Sequence, residues 1–340
     1  MAKRVGDRLG SVRRVLALAL IAGTLSTSGT ALAGTTTFPA GSLIIPMDTD
    51  YQDAGMLKAF GLLDQLLRAG VPVSWVIEPT KTVVDAGTGA FTMDMTASAT
   101  DFKTPATVIT AHGYRGGPFV IDASDAAKAT PIVTAWQAVN TTAVHVASAS
   151  FAAPVSRQLT VAPRIAVFND GNQAIAFSYL NAAGILDEKN LAWSNSSVDL
   201  LSDTAVAGTS GNPQDGVLFD GAGGQPQYCE IMTMHWNVTS TDIPDVVAEM
   251  ASFLKYPVHV NAECQAVNAI EGEPPDGGRS NFVTTNGFQW PAPHQPTSVQ
   301  FSNSALPFAQ MDGPFATVGG SEPAYALYPG STYYNQDIVM

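Results

Sequence analysis

The sequence predicts an α/β fold, a largely parallel sheet with helices on both faces. Three observations carry that expectation. Compact apolar runs suited to buried strands recur, as in Leu43-Ile44-Ile45 and Ile165-Ala166-Val167-Phe168. Amphipathic stretches at helical spacing stand between them. The order strand, helix, strand occurs in both halves, and such units normally pair their strands in parallel with a right-handed crossover.

Taken in order, Ser42 to Met47 reads as a buried strand that ends in the acidic turn Asp48 to Asp53. Residues 54–69 place Met56, Leu57, Phe60, Leu63, Leu66 and Leu67 on one helical face, and Gly70 stops the helix. Val71 to Ile77 is the next strand. Residues 78–115 are rich in Thr and Ala and read as loops and short strands. Phe119-Val120-Ile121 precedes a helix running through Gln137, capped by Ser124 or Asp125, although Pro131 limits it. Thr142 to Ala149 is a further strand candidate. The second half repeats the pattern. Arg164 to Phe168 is a strand, Ala174 to Ala183 a helix closed by Gly184, and 194–227 an irregular excursion. Cys229 to His235 is a strand, a helix runs from about Asp242 to Leu254, and Pro257 to Ala262 is the last strand. The expected α/β domain spans 34–271, with possible halves 41–150 and 163–271. Residues 272–340 form an irregular tail rich in Pro, Gly and aromatics, and its apolar end suggests a chain cut short.

The N-terminus bounds the compartment. Lys3, Arg4, Arg8, Arg13 and Arg14 precede the apolar run Val15 to Leu25, and Ala31-Leu32-Ala33 ends the segment. This is the pattern of a signal peptide over 1–33, too short for a membrane span. The protein is therefore expected to be exported, to the periplasm, cell surface or medium. Those 33 residues hold five Lys/Arg and one Asp, a net +4, so cleavage takes the charge from −13 to −17. A chain this acidic repels nucleic acid and anionic membrane surfaces. No nucleic-acid partner, and no membrane span after cleavage, is expected.

In a parallel sheet, ligands bind at the carboxyl ends of the strands. The residues just past the expected strands include Asp48, Asp50, Asp122, Asn169, Asp170, His235, Trp236, Glu263 and Cys264. Asp48, Asp50, Asp122, Asn169, Asp170 and Trp236 are the candidate ligand-binding residues. The bland alternative is that Asp and Asn serve as turn and cap residues. Asp48, Asp50 and Asp53 also resemble part of a calcium loop, but the distal Glu of such a loop is missing, and capping is the preferred reading. The histidines show no metal-ligand spacing, so no metal and no cofactor is expected. His112 to Gly117 reads as a Gly-rich turn, with an anion-binding loop as the sharper option. His145 and His259 read as core or cross-strand residues.

Val258-His259-Val260-Asn261-Ala262-Glu263-Cys264-Gln265-Ala266 places a thiol at a strand-to-helix turn, where a helix N-terminus lowers its pKa. From Arg164 to Glu271 the chain resembles the class I glutamine amidotransferase-like fold, with Cys264 at the nucleophile position. The resemblance implies Cys264 as catalytic residue with Glu263 or His235 assisting. Both glycines flanking the family's cysteine are alanine here, and no His-x-Glu pair follows. Gly41 to Gln52 is also similar to the start of large exported bacterial proteins of this fold type. The leading expectation is thus a non-catalytic or degenerate amidotransferase-like domain binding a small molecule or partner at the strand ends. A thiol-dependent hydrolase or amidotransferase using Cys264 is the alternative, and a surface carbohydrate-binding or structural module is the third. Cys264 itself stays open between a disulfide to Cys229, an inert thiol and a reactive one.

Overall fold

The structure is a computed structural model, and it describes residues 34–52, 56–85, 90–221, 223–234, 243–263, 266, 284–289, 310 and 325–327. The expected signal peptide, most of the tail, and His235, Trp236 and Cys264 lie outside the described residues. Both sheets below belong to one compact unit, Ala33–Met340.

Strand β1 (Gly34–Phe38) leads through a turn to β2 (Leu43–Ile45). The single-turn helix α1 (Thr49–Gln52) and the longer α2 (Met56–Arg68) connect to β3 (Val73–Val76). A small ribbon of β4 (Val83–Asp85) and β5 (Ala90–Phe91) precedes the hairpin β6 (Met95–Asp101) and β7 (Val108–Tyr114). Then come β8 (Phe119–Ile121), α3 (Ala123–Gln137), β9 (His145–Ala147) and the long β10 (Phe151–Leu159). These strands make an eight-stranded sheet in the order β1-β10-β3-β8-β2-β9-β6-β7. Every neighbouring pair in it is antiparallel, and the sheet curls into a half-barrel.

The expected largely parallel sheet is therefore overturned. β2 and β3 do run the same way across the helical connection, but β8 lies between them, antiparallel to both, with Val120 opposite Ile44 on one side and Ser74 on the other. The apolar runs misled because both faces of this sheet are covered, which gives an antiparallel strand the continuous hydrophobicity of a parallel one. On the convex face Leu43, Ile45, Val73, Phe119 and Ile121 pack under α2 and α3 against Leu62, Leu66 and Val133. On the concave face Phe38, Ile44, Val76, Tyr114, Val120, Phe151 and Ala153 pack on one another as the sheet curls.

Parallel pairing is confined to a second, smaller sheet. It contains β11 (Ile165–Phe168), β12 (Leu200–Leu201), β13 (Glu230–Thr233) and β14 (His259–Ala262), in the order β12-β11-β13-β14. Helix α4 (Ala174–Ala183) covers one face, while α5 (Asp203–Ala207) and α6 (Ile243–Phe253) cover the other. Gly184, at φ +83°, closes α4 in the left-handed conformation. A two-stranded ribbon of β15 (Thr284–Gln289) and β16 (Tyr325–Leu327) lies in the tail.

Helix α3 is capped by Asp122, not by Ser124 or Asp125: its Oδ1 accepts the Ser124 N–H at 2.9 Å. It ends at Gln137 as expected, running through Pro131. The Thr130 hydroxyl donates to the Ala126 carbonyl at 2.7 Å near the point where proline interrupts the helical ladder. No helix among the described residues is long and apolar enough to cross a membrane.

Candidate functional site

Among the described residues, one group of His, Asp and Tyr side chains gathers beyond the end of β2, at the concave side of the half-barrel. Its first member is Asp48, two residues past Pro46 and wholly buried. The chain turns there, since the Asp48 carbonyl accepts the N–H groups of Tyr51 (3.2 Å) and Gln52 (2.9 Å) to form α1. Gln52 then fixes that turn to the strand below. Its amide donates to the Ala143 carbonyl and accepts the Ala143 N–H, both at 3.0 Å, just ahead of β9. As a result Asp50 and Tyr51 project over the same end of the sheet.

The opposing wall comes from β7, an edge strand. His112 and Tyr114 are two residues apart and so share one face of it. A register shift between Ala97 and Ala99 on the partner strand, with Ala111 at φ +45°, marks a bulge just before His112. Bulges re-aim the side chains that follow them. Here His112 Nε2 comes to 3.2 Å from Asp48 Oδ2. Tyr114 Oη lies 2.9 Å from Nδ1 of His145 on β9. The four rings interlock edge to face. The Tyr51 ring centroid is 4.8 Å from that of His112 and 4.4 Å from that of His145, and His112 is 4.7 Å from Tyr114. Arg115 completes the rim with its guanidinium 3.2 Å from Asp50 Oδ2.

Electrostatics follow the burial gradient. Desolvation pushes the Asp48 carboxyl above the usual range, against the opposing hydrogen bond and charge of His112. Desolvation also raises Tyr51 and Tyr114, and both are raised further by Asp48. His145, fully buried, is pushed down to about 4 by desolvation, so it is neutral at ordinary pH. Two buried polar atoms in this group have no hydrogen-bond partner: Asp48 Oδ1 and His145 Nε2. At the other extreme the Asp50 side chain is 53% exposed, which opens the cluster to solvent.

No family model matches the chain, and neither a curated protein nor a solved structure matches it. The resemblance to class I glutamine amidotransferases is thereby overturned together with its fold, and no activity is carried over from it.

The residues expected at one strand-end rim do not share one sheet. Asp48 and Asp50 belong to the half-barrel cluster. Asp122 caps α3, accepting from both the N–H and the hydroxyl of Ser124. Asp170 follows β11 in the parallel sheet and is buried. Its Oδ1 accepts from Asn172 N and its Oδ2 from Met234 N (2.6 Å) and the Thr233 hydroxyl (3.3 Å), so it ties β11 to β13. Asn169 and Glu263 are exposed, and their N–H groups donate to the carbonyls of Leu201 and Thr233. Cys229 is a free, exposed thiol beside the start of β13. Tyr51 was missed as a site residue, and His112 and Tyr114, read as part of a Gly-rich turn with an anion-binding loop as the sharper option, lie instead at the end of β7. The signal that finds His112 and Tyr114 is the alternation His112-Gly113-Tyr114, which sets two polar rings on one face of a strand.

A separate cavity of about 350 Å³ is lined by Arg68 at the end of α2, by residues 161–164 and by Glu188 and Asn190. Its cations are already engaged: Arg68 with Asp64 and the Leu186 carbonyl, Arg164 with Asp199 and the Tyr228 ring.

Proposed function

We propose that the chain is an exported binding domain that takes a small polar ligand at Asp48, Asp50, Tyr51, His112 and Arg115. One observation carries the reading: charge and rings of both hydrogen-bonding senses converge there, graded from a wholly buried Asp48 to a half-exposed Asp50. Ligand sites have that construction, with a fixed polar floor and an accessible rim. Export rests on the charged, apolar and Ala31-Leu32-Ala33 segments of the N-terminus.

Two measurements test this. N-terminal sequencing of the exported protein is expected to begin at Gly34, and recovery of the uncleaved chain in the cytoplasm contradicts export. Thermal unfolding of residues 34–340 is then followed with citrate, inorganic phosphate and N-acetylglucosamine, in zinc-supplemented buffer and again in EDTA. At least one of the three is expected to raise Tm saturably, and Asp50→Asn and Arg115→Ala are expected to abolish the rise. No rise in either buffer, or one that both variants retain, contradicts the binding reading.

A further inference from the structure

We propose that Asp48, Asp50 and His112 form a binding site for one divalent transition-metal ion, a refinement that rests on reading the same cluster as a ligand site. Each residue offers one donor atom, and the three atoms lie within 4.8 Å of one another. A single cation with metal–ligand distances of about 2.0–2.4 Å bridges donors of that spread. The second observation is independent of that spacing. Asp48 is 0% exposed, yet its Oδ1 has no hydrogen-bond partner, while Oδ2 of the same carboxylate meets His112. A buried acceptor left unsatisfied is costly, and a cation removes that cost.

The surroundings fit a metal site in other ways. Tyr51 and Tyr114 hold the imidazole of His112 edge-on, which presents Nε2 toward Asp48. Fixed ring orientation of this kind is what supporting residues give a metal-ligating histidine. The donor set, two carboxylate oxygens and one imidazole nitrogen, suits Zn²⁺ or Mn²⁺ better than Ca²⁺ or Mg²⁺, which favour all-oxygen shells. Three protein donors leave a coordination position for water or a bound ligand. The half-exposed Asp50 side chain, 3.2 Å from the Arg115 guanidinium, gives the cluster access to solvent. Among the described residues no other buried carboxylate stands in such a donor set. Asp94 is closed by Lys81 at 2.7 Å and by the Gly117 N–H, while Asp64 Oδ1 and Glu249 Oε2, also without a hydrogen-bond partner, have no group of ligating side chains around them.

The test uses untagged residues 34–340, stripped with EDTA, dialysed and titrated with zinc chloride by isothermal calorimetry. One ion per chain is expected. Affinity is expected to fall at least tenfold in His112→Ala and in Asp50→Asn, with circular dichroism showing both variants folded. His259→Ala is the control, because the exposed His259 lies on β14 of the smaller sheet, where it pairs with Glu230 of β13, and its affinity is expected to match the parent. Absence of stoichiometric binding, or equal affinity in the folded His112→Ala and Asp50→Asn variants, overturns the proposal. A citrate, phosphate or sugar response that persists in EDTA without zinc binding overturns the metal alone and leaves the ligand reading standing. Zinc binding with no response to those three ligands supports the metal and overturns the ligand reading.

Discussion

Ala111 sits at φ +45° with an exposed side chain, one residue before His112. A left-handed alanine costs about 1–2 kcal/mol, and glycine adopts that conformation freely but adds about 0.5–1 kcal/mol of unfolded-state entropy. Ala111→Gly is therefore expected to raise unfolding stability in urea by about 0.5–1 kcal/mol with the bulge intact, whereas Ala111→Val lowers it. His145 makes the second prediction at this scale. Burial depresses its folded pKa from 6.5 to about 4 against the opposing pull of Asp101, with a smaller depression from His112. The neutral imidazole thus contributes stability that is present above pH 6.5 and is lost as pH falls through about 4. The loss across that window is on the order of 3 kcal/mol, and His145→Asn is expected to flatten the stability profile there. Buried carboxyls whose pKa is raised, Asp94 and Glu249 among them, shift stability the other way in both proteins, so the difference between the two profiles isolates His145. A profile that His145→Asn leaves unchanged contradicts a buried neutral imidazole.

At the scale of elements, α2 and α4 meet at a glycine. A Cβ on Gly61 would stand 2.0 Å from the Ala183 carbonyl oxygen and 2.6 Å from the Trp136 ring. Alanine gains about 1 kcal/mol of helix propensity at such a position, but a backbone atom cannot step aside as a flexible side chain can. Overpacking of this kind costs about 1–3 kcal/mol, so Gly61→Ala is expected to lower stability, read as a lower denaturation midpoint at unchanged slope. The helices were also the legible elements. The spacing of Phe60, Leu63 and Leu67 with the stop at Gly70 marked α2, and Gly184 marked the end of α4. Strand partnership was not legible. Nothing local in Phe119-Val120-Ile121 says that it inserts between β2 and β3, because pairing is decided by long-range packing and the run is apolar on both faces. The site was half legible for the same reason. Asp48 and Asp50 stood out as acids following a strand, but His112 is 64 residues from Asp48 and reaches it through the curl of a sheet that periodicity does not encode.

Across the whole molecule, buried charge and sheet curvature work together at one end of the half-barrel. The Lys81–Asp94 pair is fully buried, and Asp94 also accepts the N–H groups of Glu78 and Gly117 while Lys81 meets Gln310 of the tail. Removing the carboxylate takes from the buried ammonium the charged partner 2.7 Å away, and losses from breaking a buried pair run to about 3–5 kcal/mol. Asp94→Asn is expected to show such a loss in denaturant unfolding, and a change below about 1 kcal/mol contradicts the pair as a structural tie. The same curvature that closes this pair carries β7 round to face β2, which is why two acids and a histidine from distant segments share one donor set.

The most direct measurement is anomalous diffraction at the zinc absorption edge from crystals of residues 34–340 grown with zinc. The account predicts one strong peak within bonding distance of Asp48, Asp50 and His112 Nε2. A peak found only elsewhere on the protein, or an Asp48 and His112 held far apart, would contradict it.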